Sequence, residues 1–341
     1  MLFTKKSKLL AVGFAPLALA AALLGRSGGT ARRADAAGAG PIASLKGHQF
    51  PVQALAFAPD GATLTTAAYN LRAPLSGVEL GTWDVGTGQP TARHVEHPGG
   101  PLALALGPGG QRLAVATQDR VLRLGTAIPP HEWRSCEVRA PVQSLAFSAD
   151  GYQLALSDWE YDVTLLDAAD GRPRTRFKGV TASVFCLAFA PGGAVLAGGD
   201  RDGTIHLWDT TTGEEFGSLR GHDRPAMAVA FAPDGKTLAS GDLDGTAKLW
   251  DVPSRKEKAT LATTGDEAAA VAFSLDGRTL ATADGRAVRL WDAATGDPVA
   301  ELVGHEGKVK CLAFSPDGTV LASGGHDRTA HLWRVARPAG P

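Results

Sequence analysis

Residues Ala226 to Phe231 read Ala-Met-Ala-Val-Ala-Phe and run directly into Ala232-Pro233-Asp234-Gly235. The first six residues form an apolar run of strand length. Pro233 fixes φ and Gly235 supplies the positive φ of a tight turn. Thr237 to Gly241 then reads as a second short strand, and Asp244-Gly245 as a hairpin signal leading into Thr246 to Asp251. Pro253 to Lys256 marks another turn and Lys258 to Thr263 a fourth strand. Four short antiparallel strands with no helical period make one blade of a propeller.

The same turn recurs along the chain. Copies begin at Phe57, Phe147, Phe189, Phe231, Phe273 and Phe314, and a worn one, Leu106-Gly107-Pro108-Gly109-Gly110, fills the gap after the first. Successive copies are spaced by 49, 41, 42, 42, 42 and 41 residues. A fixed period in this range marks a repeat architecture, here seven units.

Two further signatures sit in register with the turns. Gly47-His48, Gly221-His222 and Gly304-His305 precede strands, and Trp83-Asp84, Trp208-Asp209, Trp250-Asp251 and Trp291-Asp292 end them, with Trp333-Arg334 a near match. From about residue 41 onward the chain resembles the WD-repeat β-propellers. The resemblance implies an all-β, seven-bladed propeller of four-stranded antiparallel blades. The last unit has three strands, at Lys310 to Phe314, Val320 to Gly324 and Thr329 to Trp333. Ile42 to Lys46 matches the fourth strand of other units and closes the ring by pairing onto the last blade, which removes two exposed sheet edges.

The N-terminus has another composition. Lys5, Lys6 and Lys8 precede an uncharged apolar run from Leu9 to Gly25, and Ala34-Asp35-Ala36 offers a small-residue cleavage site. Residues 1–36 are therefore expected to act as a signal peptide or as an N-terminal membrane anchor, with 37–41 a linker, 42–336 the propeller and 337–341 a tail. Both versions place the propeller outside the cytoplasm, because the leading positive charges favour an N-terminus-in orientation. Membrane contact is expected only through residues 9–25 if they are retained. Residues 1–40 carry six basic side chains and one acidic; taking these from totals of 34 and 35 leaves 28 basic against 34 acidic. A mildly acidic propeller without a basic cluster argues against nucleic acid as a partner.

Three cysteines, Cys136, Cys186 and Cys311, make no disulfide framework and read as small buried hydrophobes. His222, Ser240, Asp244 and Trp250 in blade 5 have the same offsets as His305, Ser323, Asp327 and Trp333 in blade 7. A Ser, a His and an Asp together evoke a hydrolase triad, but an active site is built once and this set recurs. The resemblance implies instead a hydrogen-bonded tetrad that braces each blade. The set decays elsewhere: blade 1 keeps His48, Thr66 and Trp83, blade 2 has Gly125 and blade 3 Leu166 in place of Trp, and blade 4 lacks the His. His94-x-x-His97 lacks a nearby third ligand, and His97 falls on the repeat histidine position. His206 and His331 share the position two before Trp with Lys248, Arg289 and Arg123, read as a polar blade surface. Neither a metal nor a cofactor is expected.

Departures from the repeat carry the functional signal. Blade 1 needs 26 residues from its Phe to its Trp where six units need 18 or 19, and the extra residues include Tyr69, Arg72 and Pro74. The equivalent loop of blade 3 carries Trp159, Glu160 and Tyr161, while Phe50 and Arg224 follow the Gly-His signature of blades 1 and 5. The resemblance places all these loops on one face, which in such propellers commonly binds partners. Phe50, Tyr69, Arg72, Trp159, Tyr161 and Arg224 are the expected anchors for a protein or peptide, aromatic and Arg side chains being the usual ones. The expected function is a non-enzymatic, monomeric binding scaffold. The alternatives are a propeller-based enzyme (lyase, hydrolase or quinoprotein-like oxidoreductase) and a membrane-tethered sensor module.

Overall fold

A computed structural model describes residues 40–70, 77–96, 100–127, 133–263 and 267–335. The expected leader, Arg72, Pro74, His97 and the end of the expected propeller at residue 336 lie outside the described residues. Seven four-stranded antiparallel sheets make up the fold. We number them as blades 1 to 7 and letter their strands a to d outward from the centre. The described residues contain one helical element, a 3₁₀ turn at Pro108–Gly110 in the worn repeat.

Blade 5 shows how the repeat works. Its strands are Ala226–Phe231, Thr237–Asp242, Ala247–Asp251 and Lys256–Leu261. The d strand thus begins two residues earlier than the sequence suggests. The a–b turn closes with Ala232 N–H donating to Thr237 O (2.8 Å) and Gly235 N–H to Ala232 O (2.9 Å), Gly235 sitting at φ 66. Asp234 Oδ1 accepts the Lys236 and Thr237 N–H groups, so the Pro-Asp-Gly sequence satisfies its own turn. The Asp of Trp-Asp does the same one turn later, Asp251 Oδ1 accepting Ser254 N–H (2.9 Å).

Inner strands pack side by side around the ring, and the a strand of blade 7, Val309–Phe314, meets that of blade 1, Val52–Phe57. Blade 7 is completed by Ala43–Leu45, paired to Ala330–Arg334 in the register Ala43↔Leu332, Ser44↔His331, Leu45↔Ala330. The ring therefore closes as the sequence predicts, by a strand from the other end of the chain.

The core lies between blades. Trp208, Trp250, Trp291 and Trp333 are fully buried. At 150–250 Å² per aromatic side chain and ~25 cal/mol per Å², each contributes roughly 4–6 kcal/mol of transfer free energy. The repeat Phe residues 57, 189, 231, 273 and 314 line the channel mouth at the a–b turn end. Cys186 and Cys311 point Sγ at backbone carbonyls of the next blade, Ala226 O and Val52 O. Burial pushes the Cys186 thiol up to about 12, so it is inert.

Candidate functional site

Two groups of loops share one rim. In six blades the N–H at the start of the b–c loop donates to the carbonyl just before strand a: Tyr69 to Pro51, Gln118 to Gly100, Trp159 to Pro141, Arg201 to Ser183, Leu243 to Pro225 and His326 to Lys308. Bonds of 2.8–3.2 Å thus hold these b–c loops against the d–a loops, which carry Gly-His at the entry to blades 1, 5 and 7.

The expected anchors divide on this rim. Trp159 is 63% exposed and Tyr161 46% exposed on the short blade 3 turn between Gln153–Asp158 and Val163–Asp167. Arg224 is exposed and pairs with Asp244 at 2.9 Å, and Phe50 is half-buried. Tyr69 does not belong with them. Its ring packs among Val78, Leu80, Leu113 and Val115 and is 7% exposed, and burial raises its phenol pKa well above the ordinary value. Tyr69 and Trp159 occupy the same repeat position, so periodicity alone could not separate core from surface there.

Tyr161 holds a left-handed backbone at φ 68. Blades 4 and 5 place Gly203 and Gly245 at this turn position, both at positive φ. A non-glycine residue there costs roughly 1–2 kcal/mol, a strain that Tyr161 shares with Arg120 and Arg328 in blades 2 and 7. Asp158 Oδ1 fixes the turn by accepting the N–H groups of Glu160 (2.9 Å) and Asp162 (3.0 Å).

Below the rim, the polar sets are engaged in bracing. In blade 7, His305 Nε2 meets Ser323 Oγ at 2.7 Å and Nδ1 meets Asp327 Oδ2 at 2.8 Å, while Trp333 Nε1 donates to Ser323 Oγ at 2.8 Å. Burial opposes the charge on Asp327, but His305 and the Glu306 N–H outweigh it and hold the carboxyl down at about 2. Blade 5 has the same chain with a different acid. His222 Nε2 meets Ser240 at 2.6 Å and Trp250 donates to Ser240 at 2.7 Å, but the His222 Nδ1 partner is Asp242 at 3.0 Å. Asp244, which the shared offset with Asp327 selects, is exposed and bonds Arg224 instead. The cause is local. Blade 7 has Gly325 where blade 5 has Asp242, and a Cβ on Gly325 would come within 3.0 Å of His305 Nδ1. The bare glycine lets Asp327 reach inward.

Blade 1 supplies an acid that the sequence reading missed. Glu79 Oε2, on strand Val78–Asp84, lies 3.4 Å from His48 Nδ1 and accepts Gln49 N–H at 2.8 Å. Burial opposes its charge, but His48, Gln49 and Arg93 keep its pKa below the ordinary range. A lone Glu between Val78 and Leu80 was the available signal.

The cation column two before Trp is also not a surface. His206 and His331 are each 5% exposed. His206 bridges Asp200 (3.1 Å) and Glu215 (3.0 Å), Lys248 binds Glu257 (2.7 Å), Arg289 pairs with Asp284, and Arg123 with Asp119. Among the described residues His305, Asp327 and His331 form the one group of three ligand atoms within 4.8 Å of one another. Ser323 and Asp327 already engage both nitrogens of His305, and Ser44 Oγ meets Nδ1 of His331.

Five stretches, residues 39–71, 171–209, 213–251, 256–292 and 296–334, match the WD40 family (WD domain, G-beta repeat), and together they exceed half of the chain. This chain is a WD40-repeat protein. The matched stretches leave out residues 72–170, which contain the two outer strands of blade 1, all of blade 2 and the first three strands of blade 3, including the positions where Gly125 and Leu166 replace Trp. Similar curated proteins share a repeat or so with this WD40 ring. A periodic tryptophan protein 2 homolog of Neurospora crassa is 46% identical over 48 residues, 14% of this chain and 5% of that protein. Human striatin-4 is 44% identical over 52 residues, 15% of this chain and 7% of its own length. Zebrafish (Danio rerio) guanine nucleotide-binding protein subunit beta-5b is 44% identical over 46 residues, 14% of this chain and 12% of its own. These matches cover a small part of each relative and speak for the repeat alone. Among the described residues no helix is long and apolar enough to cross a membrane.

Proposed function

We propose that this WD40 protein is a non-enzymatic scaffold that binds a protein or peptide through the b–c and Gly-His loops of one rim, with blade 3 at the centre of the contact. One observation carries the reading: Trp159 and Tyr161 stand exposed on a turn that Asp158 Oδ1 pins through the N–H groups of Glu160 and Asp162. Rigid, exposed aromatics bind with little loss of conformational entropy, and a few such residues carry most of an interface's energy. Arg224 and Phe50 lie on the same rim and extend the contact. The recurrence of the Ser-His-acid sets, each tied to a buried Trp, supports bracing over catalysis.

The leading lysines and the apolar run at residues 9–25 support export, with the propeller working outside the cytoplasm, secreted or tethered. Mass spectrometry of the native chain tests this part: a mature start near Ala37, or an intact N-terminus recovered with membranes, is expected, and an intact cytosolic protein overturns it.

The binding claim is tested by Trp159→Ala with Tyr161→Gly. Glycine relieves the left-handed strain at 161, so the fold survives while both rings are lost. Against a purified partner the pair should cost at least about 2 kcal/mol, roughly 30-fold in Kd. Undiminished affinity moves the interface elsewhere.

A further inference from the structure

Blade 3 has lost the indole, the imidazole and the hydroxyl of the bracing set but keeps a buried acid. Val138 stands where blades 1, 5 and 7 have His, Leu156 where they have Ser or Thr, and Leu166 where five blades have Trp. Thr164 stands where blades 2 and 4 to 7 have a cationic or imidazole side chain. Asp158, 4% exposed, occupies the position of Asp200, Asp242 and Asp284, each of which faces His206, His222 or Arg289. Among the described residues no imidazole or cationic side chain bonds Asp158; Arg176, the nearby cation, feels its charge but bonds Asp162 instead. Asp158 Oδ1 accepts two backbone N–H groups, and among the described residues none donates to Oδ2. Burial raises its pKa above the ordinary carboxylate value, with Asp162 and Glu160 adding repulsion.

The missing side chains leave a cavity of about 390 Å³, lined by Val138, Leu156, Leu166, Thr164 and Asp158 and floored by the half-buried Cys136. That volume falls in the range of small-molecule sites, ~300–1,000 Å³. Blade 2, which also lacks its Trp, is repaired. Trp133 packs against the cluster containing Leu113, the residue paired to Gly125. Among the described residues that line the blade 3 cavity none is aromatic. Three arginines are near the mouth: Arg176 pairs with Asp162, Arg174 with Asp167, and Arg139 is exposed.

We propose that this cavity is a binding site for an organic ammonium on an apolar, indole-sized body, the ammonium meeting Asp158 and the body filling the space between Leu156, Leu166 and Val138. Intact blades already contain this pairing within the chain: Lys248 Nζ lies 6.0 Å from the Trp250 ring centre, and His206 stacks on Trp208 at 5.3 Å. The ligand restores to blade 3 both groups that its sequence omits. Either a free amine or the N-terminal residue of a peptide presents that chemistry.

Calorimetry on the full chain with tryptamine and with the tripeptide Trp-Gly-Gly tests the site and separates the two sources. Saturable binding of either is expected, with no binding of N-acetyltryptamine, N-acetyl-Trp-Gly-Gly or indole-3-propionate. Asp158→Asn keeps the Oδ1 acceptor for the turn and removes the charge, so it should fold and bind at least ~10-fold more weakly, a desolvated ammonium–carboxylate pair exceeding 1.4 kcal/mol. Leu166→Trp fills the cavity from within and should abolish binding. Alkylation of Cys136 by iodoacetamide, followed by peptide mass spectrometry, should slow when ligand is bound. Tryptamine alone binding assigns a free amine, and the tripeptide alone assigns a peptide N-terminus. The proposal is overturned if neither amine binds saturably, if Asp158→Asn binds as tightly as the native protein, or if the propionate binds as well as the amines.

Discussion

Replacing Asp242 with Ala is expected to destabilise the ring several times more than replacing Asp244, although the two acids sit two residues apart. Asp242 is 2% exposed and accepts from His222 Nδ1 at 3.0 Å, Asp244 N–H at 3.1 Å and Thr246 N–H at 2.8 Å. Its loss strands one fully buried imidazole donor and two half-buried backbone donors. At about 1–3 kcal/mol for a buried unsatisfied group, and less for the two that water can reach, the total is about 3–5 kcal/mol. Asp244 loses one exposed ion pair with Arg224, worth about 0–1 kcal/mol. Melting entropy scales with chain length, so a ring of this size shifts by about 2 °C per kcal/mol. Differential scanning calorimetry should therefore show Tm lower by about 6–10 °C for Asp242→Ala and by no more than about 2 °C for Asp244→Ala. Equal losses, or the larger loss at Asp244, would refute the assignment of the blade 5 acid and with it the role of Gly325 in admitting Asp327.

Deleting residues 42–46 should expose the outer edge of Ala330–Arg334 and produce aggregation in size-exclusion chromatography; a monomer with unchanged Tm would show that closure contributes little. Burial and the neighbouring His305 push His331 down to about 4, below the ordinary value near 6.5. Its contribution is present above pH 6.5 and lost as pH falls toward 4, so His331→Asn should flatten that decline in a Tm-against-pH series. His206 has the opposite sign: burial opposes its charge, but Asp200 and Glu215 outweigh it and raise its pKa. Its contribution is present in full below pH 6.5 and lost as pH rises through its raised pKa, so His206→Asn should lower Tm on the acid side and change the slope only above pH 6.5; a flattened decline between pH 6.5 and 4 in both variants would contradict the two environments.

The architecture was legible because one short turn recurs seven times, its last residue always a glycine at positive φ. Where the turn is whole, as in blades 1, 5 and 7, Pro-Asp-Gly both turns the chain and satisfies the turn's own amides. The site was less legible wherever two residues at one repeat position met different surroundings. Tyr69 and Trp159 share a position, yet blade 1 offers Val78 and Leu80 to cover a ring. Asp242 and Asp327 differ in position but reach the same imidazole atom, because Gly325 leaves room. Glu79 reaches His48 from a strand rather than a turn, a choice that offsets between repeats cannot express. His206 and Lys248 read as surface groups because strand alternation does not reveal the acids that meet them, the buried Asp200 for His206 and Glu257 of the outer strand for Lys248.

The strand that completes blade 7 is made first and used last. Ser44 meets His331 across 287 residues of chain. At about 5–20 residues per second of synthesis, its pairing site follows it by about 15–60 s. Through that interval blades can stack in order behind it, each on its neighbour, but the ring has no seal. Circularity is then a property acquired in a single late step, and any holder of the nascent N-terminus, whether chaperone or export machinery, also controls when the circle can shut.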